Sequence, residues 1–156
     1  MLWKYPTAGF VESSPAVVKG VVYVGSYDGN IYAINAVTGA SLWKYMTASA
    51  IYSSPAVANG TVYIGSEDKN VYAFNATTGA VLWKYTTGST IQSSPTVANG
   101  VVYLGSNDNN LYALDASTGA LLWKYPATAV SVPVVADGIV YVGSVNLLAF
   151  HLPATH

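Results

Sequence analysis

The sequence predicts an all-β protein, a β-propeller with four blades per chain in which every blade is a four-stranded antiparallel sheet. Three observations predict this fold. A unit of 40 residues recurs along the chain, each unit contains four short β-rich runs separated by turn residues, and no segment has helical periodicity of useful length. Because the repeats run through the 156 residues, we expect a single propeller domain over 1–156.

The repeat is clearest in the tetrapeptide Leu-Trp-Lys-Tyr. Its tryptophan stands at Trp3, Trp43, Trp83 and Trp123, each 40 residues from the next. The motifs Ser-Ser-Pro and Thr-Gly-Ala occur three times at matching offsets, and Val-Tyr-x-Gly-Ser occurs four times. The fourth copy keeps Pro133 and Gly138, but its later loops are shorter and it lacks both Thr-Gly-Ala and a closing Leu-Trp-Lys-Tyr.

Four strands are predicted in the first unit. They cover 11–18, 21–25, 30–35 and 41–45, and the pair Lys19-Gly20 is typical of a two-residue hairpin turn. One antiparallel meander cannot bury both faces, so the copies must stack, either radially as blades or linearly as a solenoid. The size of the unit favours blades, which we place at approximately 11–45, 51–85, 91–125 and 130–151.

Three segments, 33–43, 73–83 and 113–123, resemble the Ala-x-Asp-x-x-Thr-Gly-x-x-x-Trp signature of the pyrroloquinoline-quinone-type (PQQ-like) propeller repeat. Asp115 matches the acid of that signature, whereas Asn35 and Asn75 replace it by an amide. The resemblance implies that the Trp and Gly positions dock adjacent blades. These positions are Trp3, Trp43, Trp83, Trp123, Gly39, Gly79 and Gly119.

The resemblance also bounds the function. The family includes quinoprotein dehydrogenases, usually with eight blades, and non-enzymatic scaffolds such as the lipoprotein subunit of the outer-membrane-protein assembly machine. It therefore implies either a binding scaffold or a dehydrogenase fragment that binds PQQ and calcium, and it favours the cell envelope or the extracellular space. A third alternative is that the chain is an excised or engineered fragment, in which the near-uniform copies reflect recent amplification or design.

The two ends of the chain predict how the ring closes. Residues 2–5 form an outermost strand without a blade of its own, and the fourth copy stops after its third strand, near Phe150. Strand 2–5 is therefore expected to complete the blade at 130–151, in trans or in cis, which hides two sheet edges. A four-bladed monomer would turn 90° per blade. A homodimeric ring of 4 + 4 blades would turn 45°, the angle that blades of this family usually adopt, and it is the favoured closure.

Composition excludes several classes of partner. Only 8% of the residues are charged, the net charge is −1 and Arg does not occur, so we expect no nucleic acid. The chain has no Cys, which removes disulfides, thiolate chemistry and Cys-based metal sites. No apolar run approaches the ~20 residues of a membrane span.

Repeated polar residues are interpreted as structural. Asp28, Asp68 and Asp108 occupy the turn between the second and third strands, where they form either weak cation sites or turns that bond their own backbone. The turn role is favoured. Catalysis needs one constellation of complementary groups, not the same group in every blade, so we predict no catalytic residue and no enzyme. The missing Arg and adjacent Cys also disfavour a dehydrogenase, and we expect no cofactor or metal.

Ligand or partner contacts are expected where the copies differ. One such position holds Glu12, Tyr52 and Gln92, with Val130 as the counterpart in the fourth copy, and a neighbouring turn holds Tyr27, Glu67 and Asn107. All are expected on one face of the propeller. The alternative is unselected variation on a solvated surface. Unselected variation is the favoured interpretation of these positions, which are nevertheless the candidates for contact with a protein partner. The predicted function is a non-catalytic scaffold or binding module.

Overall fold

The computed structural model describes residues 1–128 and 130–151, and the predicted all-β fold is confirmed over them. These residues form fifteen strands in four antiparallel sheets, one per repeat. The first sheet holds β1 (Ala16–Val18), β2 (Val21–Gly25), β3 (Asn30–Asn35) and β4 (Ser41–Met46), and the second holds β5 (Ala56–Ala58), β6 (Thr61–Gly65), β7 (Asn70–Asn75) and β8 (Val81–Thr86). The third holds β9 (Thr96–Ala98), β10 (Val101–Ser106), β11 (Asn110–Asp115) and β12 (Leu121–Pro126), and the fourth holds β13 (Val134–Ala136), β14 (Ile139–Gly143) and β15 (Leu147–His151).

The strands follow chain order within each sheet, and the first strand of each sheet lies beside the first strand of the next. We call the sheets blades 1 to 4. The part of the chain that the structure describes holds no helix able to cross a bilayer.

The innermost strand of each blade is shorter than the sequence predicted. The prediction placed it over 11–18, whereas β1 covers only Ala16–Val18. Pro15 has no N–H for the ladder, and the residue directly before it bonds to the next blade instead. The backbone N–H of Ser14 donates to Ser54 Oγ at 2.8 Å, and that of Ser54 donates to Ser94 Oγ at 2.8 Å. This part of the chain therefore links the blades.

The first hairpin turn has the geometry that its sequence predicted. Lys19 and Gly20 have φ angles of 48° and 76°, as a type I′ turn requires, and the equivalent pair Asn59-Gly60 is the same within a degree. Because the turn fixes the register, Val18 pairs with Val21 at the closed end of the hairpin.

Blades pack through an aromatic contact that recurs along the chain. Trp43 of blade 1 donates its indole N–H to the carbonyl of Ala76 in blade 2 at 2.9 Å, and its ring lies on Gly79. A Cβ at Gly79 would lie 2.6 Å from that ring. Equivalent contacts join Trp3 to Gly39 and Trp83 to Gly119, whereas Trp123 packs against Phe150.

The two outer blades each leave one apolar face open. Ile31 of blade 1 is fully buried by blade 2, but Leu147, its equivalent in blade 4, is 76% exposed. Residues 2–5 form no strand and β15 has no partner at its outer edge within the described chain. Trp3 and Tyr5 instead cover blade 1, where Tyr5 lies 5.3 Å from Tyr32 between ring centroids. Completion of the fourth blade stays a prediction.

Candidate functional site

The six candidate residues lie at one end of the blades. Because neighbouring strands are antiparallel, the turns between second and third strands share an end with the loops that connect successive blades. We call this the variable end. It comprises the turns 26–29, 66–69 and 106–109 and the segments 8–14, 47–54 and 87–94.

An aromatic and acidic cluster occupies the variable end between blades 1 and 2. The ring centroids of Tyr27 and Tyr52 are 4.2 Å apart at an interplanar angle of 49°, and Phe10 meets Tyr27 edge-on at 6.2 Å. Partial burial is the main factor that raises the pKa of the Tyr27 hydroxyl, and hydrogen bonds to Glu12 and Tyr52 raise it further. The cluster thus joins three predicted candidates, Glu12, Tyr27 and Tyr52.

Two of the other three candidates pair across the next junction, and the third bonds to the segment that enters its own blade. Gln92 of blade 3 donates its side-chain N–H to Glu67 Oε1 of blade 2 at 2.9 Å. Asn107 donates to the Thr90 hydroxyl at 2.8 Å. The position of the Tyr27–Tyr52 pair at the first junction therefore carries an acid–amide pair at the second. The Asn107–Thr90 pair instead repeats the contact between Tyr27 and Phe10. Sequence reasoning missed Phe10 and Thr90, although they stand at one repeat offset where the middle copy has Ala50.

Val130 does not occupy the position that the sequence predicted for it. It was aligned with Tyr52 and Gln92, but its side chain packs on Gly105 as Ile51 packs on Gly25. Ser131 then accepts the Gly143 N–H, which is the role of Ser13 and Ser53 in their own blades. Blade 4 therefore lacks a counterpart of Tyr52, because one residue is missing between these two positions.

The repeated aspartates are occupied by the protein's own donors. Asp28 Oδ1 accepts the backbone and side-chain N–H groups of Asn30, and Oδ2 accepts the Tyr32 hydroxyl at 2.7 Å and the Ala8 N–H at 2.9 Å. Burial alone would raise the pKa of Asp28, but these hydrogen bonds outweigh it and lower the pKa to about 2. Asp68 and Asp108 have the same four kinds of donor.

This arrangement supports the turn role of the aspartates over the cation site. Four donors already fill the lone pairs of each carboxylate, and the backbone donor at Ala8, Ala48 or Gly88 ties the turn to the segment that leads into the same blade. Within 1–128 and 130–151, no three His, Asp or Glu side chains are grouped so as to hold a metal ion.

Charge is segregated on this sparsely charged chain. The variable end carries five of the seven acids, namely Glu12, Asp28, Glu67, Asp68 and Asp108, and one base, Lys69. Four of the six lysines instead lie on or in line with the outermost strands, namely Lys4, Lys44, Lys84 and Lys124. The variable end is thus acidic, and the circumference is basic.

Four-stranded meanders that stack face to face in chain order, with their first strands side by side, define a β-propeller. The chain belongs to the PQQ-like propeller repeat family, because the family model described as outer membrane protein assembly factor BamB matches residues 1–51 and 47–150. The resemblance found in the sequence is therefore confirmed. No curated protein sequence matches the chain.

Solved structures share the fold at low sequence identity. BamB from Moraxella catarrhalis is 22% identical with a TM-score of 0.84 over 99% of this chain and 51% of its own, so the chain spans about half its length. The computationally designed Ika4 protein is 22% identical with a TM-score of 0.85 over 94% of both chains. A quinohemoprotein alcohol dehydrogenase from Pseudomonas putida HK5 is 23% identical with a TM-score of 0.79 over 91% of this chain and 29% of its own.

Proposed function

We propose that the chain is a non-catalytic binding scaffold that closes with a second copy into an eight-bladed ring and presents its acidic variable end to a protein partner. The observation that carries the proposal is the complementarity of the two open faces. Each face lacks the contacts that the other would supply. The family description, which names an outer membrane assembly factor, supports a location in the cell envelope.

Within the described residues, no blade covers the open face of blade 4. Leu147 and Ala149 are exposed, whereas the equivalent Ile31 and Ala33 are fully buried. Gly143 also lacks the apolar side chain that its equivalent Gly25 receives from Ile51. This face therefore needs an aliphatic residue that points at Gly143.

The open face of blade 1 offers that residue. Val11 occupies the repeat position of Ile51 and is 46% exposed, whereas Ile51 is fully buried. The carbonyl of Ala76 accepts both the Trp43 indole and the Tyr23 hydroxyl, at 2.9 and 3.1 Å. The equivalent carbonyl of Ala36 accepts Trp3. Tyr141 of the partner subunit is the repeat equivalent of Tyr23, so its hydroxyl would be the second donor to the Ala36 carbonyl.

The register of the closing strand follows from the complete blades. In blade 1, Ala33 pairs with Trp43 and Ile31 pairs with Tyr45. By the same offsets, Ala149 of one copy would pair with Trp3 of the other, and Leu147 would pair with Tyr5. Each copy gives one strand and receives one, so the interface is two-fold symmetric and closed.

A double-cysteine variant tests the closure. K4C/L148C places two thiols opposite each other in the expected register, in a chain that has no other Cys. Mild oxidation should give a covalent two-chain species that reduction reverses. An internal single-chain cross-link would show closure in cis, and the absence of any cross-link would contradict closure. K4C/D137C is the control, because Asp137 lies in the turn after the innermost strand of blade 4 and not on its outer edge.

The variable end is the proposed partner surface. Its acids and its Tyr27–Tyr52 pair suit a basic segment, since lysine and arginine bind carboxylates and the faces of aromatic rings. A hexalysine amide titrated into isotope-labelled protein should shift the amides of residues 8–14, 26–29 and 66–69, and the shifts should weaken as salt rises. E12Q/E67Q should reduce binding, whereas D137N at the opposite end should not. Shifts concentrated elsewhere would contradict this surface.

A quinoprotein dehydrogenase is the second candidate, supported only by the shared fold. The residues present do not fit its cofactors. Calcium needs free oxygen ligands, but the repeated carboxylates already accept four hydrogen bonds each. An anionic quinone needs cations, and among the described residues of the variable end Lys69 alone supplies one. Dye reduction with an alcohol after addition of PQQ and calcium would overturn the non-catalytic assignment.

A further inference from the structure

A groove lies at the end of the blades opposite the variable end, between blades 1 and 2. It has a volume of about 730 Å³. We call it the blade 1–2 groove, and the residues that decide its chemistry are Val18, Lys19, Val21, Leu42 and Val57. This volume lies within the ~300–1,000 Å³ of small-molecule sites.

The walls of the groove are aliphatic and its mouth is basic. Val18, Val21 and Val57 lie at the edge of the core between the blades, and Leu42 is 51% exposed. At the floor, the Tyr23 hydroxyl donates to the Ala76 carbonyl at 3.1 Å, so these polar atoms are already paired. Among the described residues that line the groove, the charge comes from Lys19.

The next junction provides an internal comparison. The equivalent groove between blades 2 and 3 has about 420 Å³. Asn59 replaces Lys19 there, Thr61 replaces Val21, and the acid Asp115 joins the lining. Both junctions keep the same Trp–Gly contact and the same Tyr-to-carbonyl hydrogen bond. The basic, aliphatic character of the blade 1–2 groove is therefore not required by the fold.

We propose that the blade 1–2 groove binds a single-chain anionic amphiphile, an alkyl chain with an anionic head group. The chain would lie on Val18, Val21 and Leu42 and remove them from water, and the head group would meet the Lys19 ammonium. The site does not depend on ring closure, because both of its blades belong to one chain.

Dodecanoate below its micellar concentration is the probe. Titration into isotope-labelled full-length protein should shift the amides of Lys19, Gly60 and Thr77, which line the groove, and should leave 26–29 unshifted. Affinity should rise up to about fourfold per methylene from octanoate to dodecanoate. Dodecyl maltoside, with the same chain and no charge, should bind up to about fivefold more weakly at low salt. Equal binding of the neutral probe would overturn the role of Lys19, and a lack of shifts at the groove would overturn the site.

The repeat supplies matched variants whose residues already occur at equivalent positions. K19N and V21T should each weaken dodecanoate binding, and their unchanged spectra away from the groove would report an intact fold. Binding that survives K19N unchanged would contradict the proposal.

Discussion

Replacing Leu147 by Asp tests the proposed ring at its most exposed apolar contact. Leu147 is 76% exposed in the single chain, so an aspartate there should change the free energy of unfolding of that chain by no more than about 0.5 kcal/mol. In the ring, the same position would be covered by blade 1 of the partner subunit, as blade 2 covers Ile31.

The magnitude follows from these two environments. Full burial of a leucine stabilises by about 1.5–3 kcal/mol, so covering the exposed three quarters of Leu147 contributes about 1–2 kcal/mol. An unpaired carboxylate left in an apolar interface adds a penalty of about 3–5 kcal/mol. The ring has two identical junctions, so L147D should weaken it by about 8–14 kcal/mol. The dissociation constant should therefore rise at least about 10⁵-fold.

Sedimentation equilibrium over a range of micromolar concentrations measures this change. Wild-type protein should sediment as two chains and L147D as one, with similar circular dichroism spectra. Val37→Asp is the matched control, because Val37 is 79% exposed and its equivalents, Thr77 and Ser117, are polar in the other copies. A ring that persists in L147D would refute the reasoning, as would loss of the ring in V37D.

Two further predictions concern the blades themselves. Gly119→Ala should lower the free energy of unfolding, measured in urea, by about 1–3 kcal/mol more than Gly100→Ala does. Both glycines have positive φ, but only Gly119 lies against Trp83. Equal losses in the two variants would contradict the Trp contact. The pKa of Asp28, about 2, lies below the usual 3.8. The ionised carboxylate therefore stabilises the folded state fully above about pH 4, and this stabilisation is lost as the pH falls through 2. The free energy of unfolding should fall by about 1 kcal/mol across this pH window, a value reduced to allow for the solvent exposure of Asp28. Asp28→Asn should make this acid-induced fall smaller. An unchanged acid profile in that variant would contradict the role of the carboxylate.

The sequence predicted the fold because the interactions that define it are local and repeated. The turn Lys19-Gly20 sets the first register, and alternation along β2 and β3 decides which side chains meet the next blade. The shortened strand β1 is the exception. A pattern of β-forming residues over 11–18 does not reveal that Ser14 bonds to the neighbouring blade instead of to its own sheet.

The variable end could be predicted only in part. Differences between copies located the six candidates, but which of them touch depends on how adjacent blades pack. Tyr27 meets Tyr52 from the next blade, and no spacing within one repeat encodes that contact. Val130 was misplaced for a related reason, because a single missing residue shifts the alignment and only its packing on Gly105 shows the true position.

The mass of the wild-type chain in solution tests the central claim most directly. Sedimentation equilibrium or native mass spectrometry at micromolar concentration should give about 33 kDa, twice the 16.3 kDa of one chain. A mass of 16.3 kDa under these conditions would contradict the two-chain ring, whether the single chain stays open or closes on itself.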